Sequence, residues 1–359
     1  MKLGLVLGAG GLVGMAYHVG ALHALEVEAG LTPGDADLIV GTSAGSIVGA
    51  YLRAGWSMSD LWSRALNPPD TWEEDDAGHG AGGDAPGRDP LRLGPVDPAR
   101  VVAGIPPVLV PSFTSPCQQA RRFLGSAWVL TRVALRVPLP PLPRVLRRTF
   151  PGGLFDLGAS RTRLETELPE SWPAAPLWLC TFDIVSERRV VLGQEDGPAV
   201  TLPRGVRASC AIPGLYPPVR VGRRVLVDGG SWSCTNLDLA GEDGCDLILG
   251  IAPLAFDTAE PPGLGSQLAR RWPARSLSQE TAGARRRGAE VLLVRPTGAE
   301  VRAHGVNLMR RDGLDRIASA AYESTARLLA TDRFKSTLGD LGPRREGGSE
   351  AGTPPARCG

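Results

Sequence analysis

The residue pattern that most directly indicates chemistry in this chain is Gly41-Thr42-Ser43-Ala44-Gly45, a G-x-S-x-G pentapeptide. It follows the apolar run at 38–40 and leads directly into the helix-forming stretch 46–54. Ser43 is therefore predicted to lie on a strained strand-to-helix turn with its hydroxyl exposed. Gly41 and Gly45 leave room for the tight backbone and for close approach of a substrate carbonyl. The pattern predicts that Ser43 is the nucleophile of an acyl hydrolase.

A second glycine-rich turn, at residues 8–14, lies between a buried strand predicted at 2–7 and a helix predicted at 15–29. Backbone amides at such a helix start can hold a pyrophosphate or the oxyanion of a tetrahedral intermediate. A dinucleotide match starting at Gly8 would need glycine or alanine where Val13 stands. We favour an oxyanion hole formed at Gly8, Gly10 and Gly11, with the last two as amide donors. The alternative is a nucleotide-binding or regulatory membrane-associated module that does no hydrolysis.

A serine nucleophile needs a base, and the aspartate at 228 is a better candidate than any histidine. We expect the histidines to serve packing or to lie at the surface; they are His18, His23, His79 and His304. Residues 223–228 are typical of a short apolar strand that ends in Asp228, and Gly229 and Gly230 then allow a sharp turn. Open α/β sheets assemble their sites at strand ends. Taken alone, Asp228 would be a turn aspartate that caps the next element.

Together, the loop at 8–14, the pentapeptide at 41–45 and Asp-Gly-Gly at 228–230 resemble the three signatures of patatin-like phospholipases. The stretch 208–214 and Asn236 are also similar to bacterial members, and the resemblance covers about residues 1–66 and 150–330. One departure is Val13, where the family loop often carries arginine or lysine.

The resemblance implies a Ser-Asp dyad without histidine, in which Ser43 is the nucleophile and Asp228 is its base. It implies Gly10 and Gly11 as the oxyanion amides, and no cofactor. The substrate would be a phospholipid, a lysophospholipid or a neutral lipid, and acyl transfer to an alcohol would use the same residues. The glycines that support the motifs are Gly14, Gly41, Gly45, Gly229 and Gly230.

Composition narrows the functional classes. The chain has 359 residues, of which 43% are hydrophobic and 21% charged, as expected for a globular protein. A net charge of +1 gives no reason to expect a nucleic-acid partner. The cysteines show no C-x-x-C pair and no calcium-loop motif is present, so we predict no metal site and no disulfide framework. With no signal-peptide pattern and no long apolar run, we expect a location in the cytoplasm or at the inner face of the membrane. The sequence does not indicate an oligomeric state.

The middle of the chain changes character twice. Residues 67–98 are polar and glycine-rich and are predicted to form a flexible insertion. Residues 99–155 contain no acidic residue. Within them, four arginines bracket an apolar segment centred on Trp128, a pattern compatible with a basic helix on an anionic bilayer surface; they are Arg121, Arg122, Arg132 and Arg136. The alternative, which is compatible with the first, is a helical cap over the active-site cleft.

The alternation of strand and helix patterns predicts an α/β fold, with a mostly parallel central sheet, helices on both faces and an inserted basic helical cap. Further strands are predicted at 177–182, 189–192, 246–251 and 290–294, and a terminal helix at 312–334. We predict one catalytic domain over residues 1–335 and a disordered tail over 336–359.

Overall fold

The computed structural model describes residues 1–66 and 164–339 of the chain. Eight strands in these ranges belong to one sheet. They are β1 (Leu3–Leu7), β2 (Leu38–Thr42), β3 (Leu177–Asp183), β4 (Arg188–Leu192), β5 (Val219–Val221), β6 (Arg224–Asp228), β7 (Leu247–Ile251) and β8 (Glu290–Val294).

The strand order is β5-β6-β3-β2-β1-β7-β8, and β4 also pairs with β3. Five neighbouring strands of the sheet, β3-β2-β1-β7-β8, are parallel to one another. Strands β4 and β6 pair antiparallel to β3, and β5 pairs antiparallel to β6. The carboxyl ends of the parallel strands therefore meet at one edge of the sheet, and the three antiparallel strands extend it beside β3.

Besides helical residues at 164–167, nine α-helices accompany the sheet in the described ranges. They are α1 (Gly11–Ala29), α2 (Ala44–Arg53), α3 (Met58–Leu66), α4 (Leu202–Ser209), α5 (Asp238–Glu242), α6 (Leu264–Arg286), α7 (Gly298–His304), α8 (Leu314–Leu329) and α9 (Asp332–Gly339). Helices α1 and α8 pack closely at Gly20, where an added Cβ would lie 2.1 Å from the carbonyl oxygen of Ala318.

The sheet is covered by helices on both faces. Leu5 and Leu7 of β1 pack in a core cluster that also contains residues of α1, α2 and α8. Val6, between them, packs in a second cluster with residues of α5 and α6. Successive strand residues point to opposite faces, so these clusters are the two sides of one sheet. This confirms the predicted fold class.

Several local expectations differ from the structure. Strand β5 was not predicted, because three residues are too few to show a period. The helix predicted at 312–334 is two helices, since α8 ends at Leu329 and α9 begins at Asp332. Helix α9 continues to Gly339, so the first four residues of the predicted tail are helical.

The predictions for the middle of the chain fall outside the described ranges. They include the flexible insertion at 67–98, the basic segment at 99–155, and its lipid-contact residues Arg121, Arg122, Trp128, Arg132 and Arg136. Among the helices of residues 1–66 and 164–339, none combines the length and apolar character that crossing a bilayer requires.

Candidate active site

The sheet register brings Ser43 and Asp228 to the same place. Thr42, the last residue of β2, pairs with Cys180 of β3. The next residue of β3, Thr181, pairs with Asp228 at the end of β6. Strand β3 thus joins β2 through its first half and β6 through its second, so the residue after Thr42 lies beside Asp228. The two motifs are distant in sequence but meet because β2 and β6 both pair with β3.

Ser43 occupies the strained turn that the pentapeptide predicts. Its backbone has φ 53° and ψ −118°, a left-handed conformation that is unfavourable for a residue with a Cβ. Its N–H donates to Ser209 Oγ at 3.0 Å. Its carbonyl oxygen accepts from Ser46 Oγ at 2.6 Å and from Cys210 Sγ at 3.3 Å. These bonds hold the backbone in a conformation that costs about 1–3 kcal/mol.

The turn requires the two glycines that flank Ser43. A Cβ on Gly45 would lie 2.0 Å from the carbonyl oxygen of Leu7, and one on Gly41 would lie 2.7 Å from Cα of Ser46. Leu7 ends β1, so the absence of a side chain at Gly45 also brings the start of α2 directly onto the neighbouring strand.

Asp228 is buried beside the Ser43 turn. The Ser43 side chain favours the charged form of its carboxylate, and the Gly230 N–H donates to Oδ1 at 2.7 Å. Burial nevertheless raises the pKa of Asp228 from 3.8 to about 6, because removal from water disfavours the charged form more than these two interactions favour it. A carboxylate with this pKa is a stronger base than an ordinary aspartate and is still ionised at neutral pH.

The glycines after Asp228 make this contact possible. A Cβ on Gly229 would lie 2.4 Å from the Cys180 carbonyl oxygen, and one on Gly230 would lie 3.0 Å from Oδ1 of Asp228. Glycine at these positions lets the turn press against β3 and lets the Gly230 amide reach the carboxylate.

The glycine stretch at 8–14 lies at the carboxyl end of β1, next to the serine turn. The helix was predicted to begin at residue 15, but α1 begins at Gly11, so only residues 8–10 form the connection and residues 11–14 are its first turn. A Cβ on Gly14 would lie 3.7 Å from the Cβ of Ala44. Among the described residues, the amides of Gly10 and Gly11 have no acceptor, whereas the Gly8 amide donates to Ile251 O at 3.0 Å. Gly8 therefore offers no free donor, and the predicted oxyanion hole is restricted to Gly10 and Gly11.

Two histidines of the described ranges, His18 and His304, are buried in the core. His18 is fully buried, and its Nε2 lies 2.7 Å from the carbonyl oxygen of Gly8, which makes that nitrogen the donor. Burial lowers the pKa of His18 to about 4, so the ring is neutral at physiological pH. His304 is also buried, with its pKa lowered to about 3. The packing role expected for these two histidines is confirmed, and His18 has the further task of holding the glycine loop.

Asn236 links the loop after Asp228 to the serine turn. Its Nδ2 donates to Thr42 Oγ1 at 3.0 Å and to Ser233 O at 2.8 Å. Its Oδ1 accepts from Arg189 Nη1 at 3.3 Å. Asn236 itself has φ 54°, a conformation that asparagine tolerates better than most residues.

The carboxylate of Glu280 on α6 organises the same loop, and no sequence pattern pointed to it. It accepts hydrogen bonds from the Ser233 hydroxyl, from Thr235 Oγ1 at 2.8 Å and from the Leu237 N–H at 2.8 Å. Ser276 on its own helix donates to it at 3.0 Å. One carboxylate therefore fixes the segment 233–237.

This segment touches all three motifs. The Cys234 carbonyl oxygen accepts from the Ala9 amide of the glycine loop at 2.7 Å. Asn236 bonds Thr42, next to Ser43, and the Ser233 N–H donates to the Gly229 carbonyl oxygen of the third motif at 3.1 Å. Glu280 is thus placed to act as a positioning residue for the whole site.

We expect Glu280→Gln to lower kcat about tenfold with little change in KM, because an amide cannot accept all four of these hydrogen bonds. Steady-state kinetics on a soluble ester would measure the split between kcat and KM. Glu290→Gln is the matched control, since Glu290 accepts from Thr337 Oγ1 at 2.8 Å at the opposite end of the sheet. Equal losses of kcat in the two variants would contradict the positioning role.

The described residues contain no group of three or more histidine, cysteine, aspartate or glutamate side chains that could hold a metal ion. The four cysteines in this part of the chain are free thiols. Burial raises the pKa of Cys210, next to Ser43, to about 12, so it remains protonated. The described groups that meet at this place are Ser43, Asp228 and the backbone amides of the glycine loop.

Comparison with known proteins identifies the family of the chain. The sequence model of the family described as "Patatin-like phospholipase" matches residues 5–240, a range that contains all three motifs. Lysophospholipase nte1 of Aspergillus fumigatus is 26% identical over 270 residues, which cover 75% of this chain and 13% of that protein. Lysophospholipase NTE1 of Coccidioides immitis is 26% identical over 271 residues, which cover 76% of this chain and 13% of that protein. The chain thus matches only a small part of the length of these relatives.

Solved structures give more distant similarities. VipD from Legionella pneumophila aligns with a TM-score of 0.40 and 14% identity, covering 91% of this chain and 66% of that one. ExoU of Pseudomonas aeruginosa, in its complex with SpcU, aligns with a TM-score of 0.31 and 20% identity, covering 96% and 57%. The assignment therefore rests on the family model, which covers more than half of the residues. The chain belongs to the patatin-like phospholipase family.

Proposed function

We propose that this protein hydrolyses carboxylic esters of lipids with Ser43 as nucleophile and Asp228 as its base. The observation that carries the proposal is the position of the strained Ser43 beside the buried carboxylate of Asp228, which the strand register brings together. Burial also raises the pKa of Asp228 to about 6. A base with a pKa near the working pH combines availability with proton affinity, as general-base catalysis requires.

In the proposed reaction, Ser43 Oγ attacks the ester carbonyl carbon while its proton passes to Asp228. The carbonyl oxygen becomes an oxyanion, which the Gly10 and Gly11 amides stabilise at the start of α1. Collapse of this intermediate breaks the ester C–O bond, and the departing alcohol takes the proton from Asp228. Water then attacks the acyl-serine, Asp228 accepts its proton, and collapse releases the fatty acid as the proton returns to Ser43.

Lysophospholipids are the first substrates to test, with diacyl phospholipids and neutral lipids next. The support is family membership together with the names of the lysophospholipase relatives, which this chain matches over a small part of their length. All three lipid classes carry the carboxylic ester on which the proposed dyad acts.

Fatty-acid release from lysophosphatidylcholine, phosphatidylcholine and triacylglycerol would test the proposal. We expect release from at least one of them at neutral pH in the presence of a chelator, because the mechanism uses only side chains and backbone amides. We also expect a fluorophosphonate to label the wild-type protein. Absence of both release and labelling, in protein shown to be folded, would overturn the proposal.

The segment 99–155 remains a proposed cap or lipid-contact region. Charge reversal of its arginines should weaken co-sedimentation with anionic vesicles if it contacts lipid, and should leave it unchanged if it only covers the cleft.

A further inference from the structure

The exposed apolar side chains of the described residues are unevenly placed. Six large ones are exposed, and four of them belong to segments near the carboxyl edge of the sheet, where Ser43 lies. These four are Trp232, Leu264, Leu268 and Val306, which are 48%, 78%, 68% and 101% exposed. Met1 and Val27 are the other two.

Leu264 and Leu268 start a stripe along the outer side of α6. They are followed at helical spacing by Arg271 and Arg275, and all four side chains line a surface groove of about 380 Å³. Both arginines are exposed, and neither makes an ion pair with a residue in the described ranges. The stripe therefore passes from apolar to positively charged within about two helical turns.

The start of α6 is tied to the glycine loop. Arg270, on the inner side of the helix, donates to the carbonyl oxygens of Pro253 and Ala255 at 2.7 and 3.0 Å. Pro253 in turn packs against the loop, since a Cβ on Gly10 would lie 3.1 Å from its side chain. The start of α6, which carries the exposed leucines, is thus linked to the proposed oxyanion donors by the hydrogen bonds of Arg270 and the packing of Pro253.

Val306 and Trp232 are attached to the same site from other directions. Two residues after Val306, the carbonyl oxygen of Leu308 accepts from the Val13 amide at 3.1 Å. Trp232 directly follows the turn that begins at Asp228, and its ring stacks on Phe182 at 6.3 Å. Val306 therefore belongs to a segment that bonds the start of α1, and Trp232 belongs to the turn after Asp228.

We propose that these residues form a docking rim, comprising Trp232, Leu264, Leu268, Val306, Arg271 and Arg275, which binds the surface of an anionic phospholipid bilayer. Apolar side chains beside arginines that form no ion pair within residues 1–66 and 164–339 match the boundary between acyl chains and anionic headgroups. A second copy of the chain is a poorer occupant, because a two-fold contact would place the same arginines against each other. Binding through the rim would bring Ser43 next to the lipid. This inference rests on the proposed function, the hydrolysis of lipid esters.

Vesicle co-sedimentation of the full chain would test the rim without turnover. Every variant would carry Ser43→Ala, so that no lipid is consumed and a failure of the catalytic proposal leaves the binding result interpretable. The probes are phosphatidylcholine vesicles with and without phosphatidylglycerol. We expect Leu268→Asp and Val306→Asp each to lower the partition coefficient at least about tenfold. The double change Arg271→Glu with Arg275→Glu should lower it about tenfold on the anionic vesicles alone.

Val27→Asp is the matched control. Val27 is 57% exposed near the C-terminal end of α1, about 24 Å along the helix from the glycine loop. We expect it to bind vesicles as the Ser43→Ala protein does. Unfolding temperatures and near-ultraviolet circular dichroism would show that each variant is folded.

Three outcomes would overturn the proposal. One is equal binding by the rim variants and their parent. Another is an equal loss in Val27→Asp, which would remove any preference for this edge. The third is dimerisation of the wild type that Leu268→Asp abolishes while vesicle binding is unchanged, which would make the face a contact between copies. If reversing Arg121, Arg122, Arg132 and Arg136 removes all binding and the rim variants lose none, the lipid surface lies elsewhere.

Discussion

Ser43→Ala is expected to lower kcat/KM for ester hydrolysis at least about 10⁴-fold, because it removes the atom that attacks the carbonyl carbon. The residual rate would come from the amides of the glycine loop and from substrate binding. The measurement is release of p-nitrophenol from short and long acyl esters, with fluorophosphonate labelling as an independent readout of the nucleophile.

Ser46→Ala provides the matched control for that experiment. It removes a single buried hydroxyl three residues away, which donates to the carbonyl oxygen of Ser43 at 2.6 Å. We expect a loss of about tenfold or less and continued labelling, because Ser46 supports the turn without touching the ester. If Ser43→Ala kept activity and labelling while Ser46→Ala lost both, Ser43 would not be the nucleophile.

Short-range patterns were sufficient to predict the serine turn and the glycine loop. A strand that ends in G-x-S-x-G and leads into a helix specifies its own backbone, since Gly41 and Gly45 leave no space for a side chain. The strand-to-helix connection was also predicted at the right place, but it is shorter than expected, because α1 already begins at Gly11.

The meeting of Ser43 and Asp228 depends on strand order, which the local pattern does not encode. Strand β6 runs antiparallel to β3 and adjoins the half of β3 that β2 leaves unpaired. Only the resemblance to the family predicted that Ser43 and Asp228 lie together.

Residues that act through distant contacts were missed for the same physical reason. Glu280 looks like an ordinary helix residue, yet it meets Ser233, Thr235 and Leu237 across the fold. Ser209, whose Oγ accepts a hydrogen bond from the Ser43 N–H, lies in the stretch 208–214, for which the sequence showed only a similarity to bacterial family members. Conversely, the Gly8 amide is occupied by Ile251 of β7, a partner that the loop sequence cannot specify.

Asp228→Asn is expected to lower kcat/KM about 10²–10⁴-fold, the usual contribution of a positioned base, because an amide cannot accept the Ser43 proton. In the wild type, kcat/KM should rise with pH and level off above the pKa of Asp228, which is about 6. This rise should be absent from the residual activity of Asp228→Asn. A wild-type profile that is flat between about pH 4.5 and 8 would contradict the assignment of Asp228 as the base.

The same substitution is expected to stabilise the fold at neutral pH. Burial raises the pKa of Asp228 from 3.8 to about 6, so the folded protein binds this proton more tightly than the unfolded chain does. The free energy of unfolding therefore falls as the pH rises through this interval, and the loss persists above it. Asp228→Asn removes the penalty, and its unfolding free energy near pH 8 should exceed that of the wild type by up to about 3 kcal/mol.

Asp183→Asn is the control with the opposite expected sign. Asp183 is also buried, but its carboxylate accepts from the amides of Val185 and Val225, each at 3.0 Å, and from Ser186 Oγ at 2.7 Å. An amide there loses acceptor capacity, so the unfolding temperature should fall. Thermal unfolding at pH 5 and pH 8 would measure both effects, with the gain in Asp228→Asn larger at pH 8. Equal destabilisation of Asp228→Asn and Asp183→Asn at both pH values would contradict this expectation. Asp228 would then be a carboxylate that stabilises the fold, and not a base whose burial lowers the free energy of unfolding.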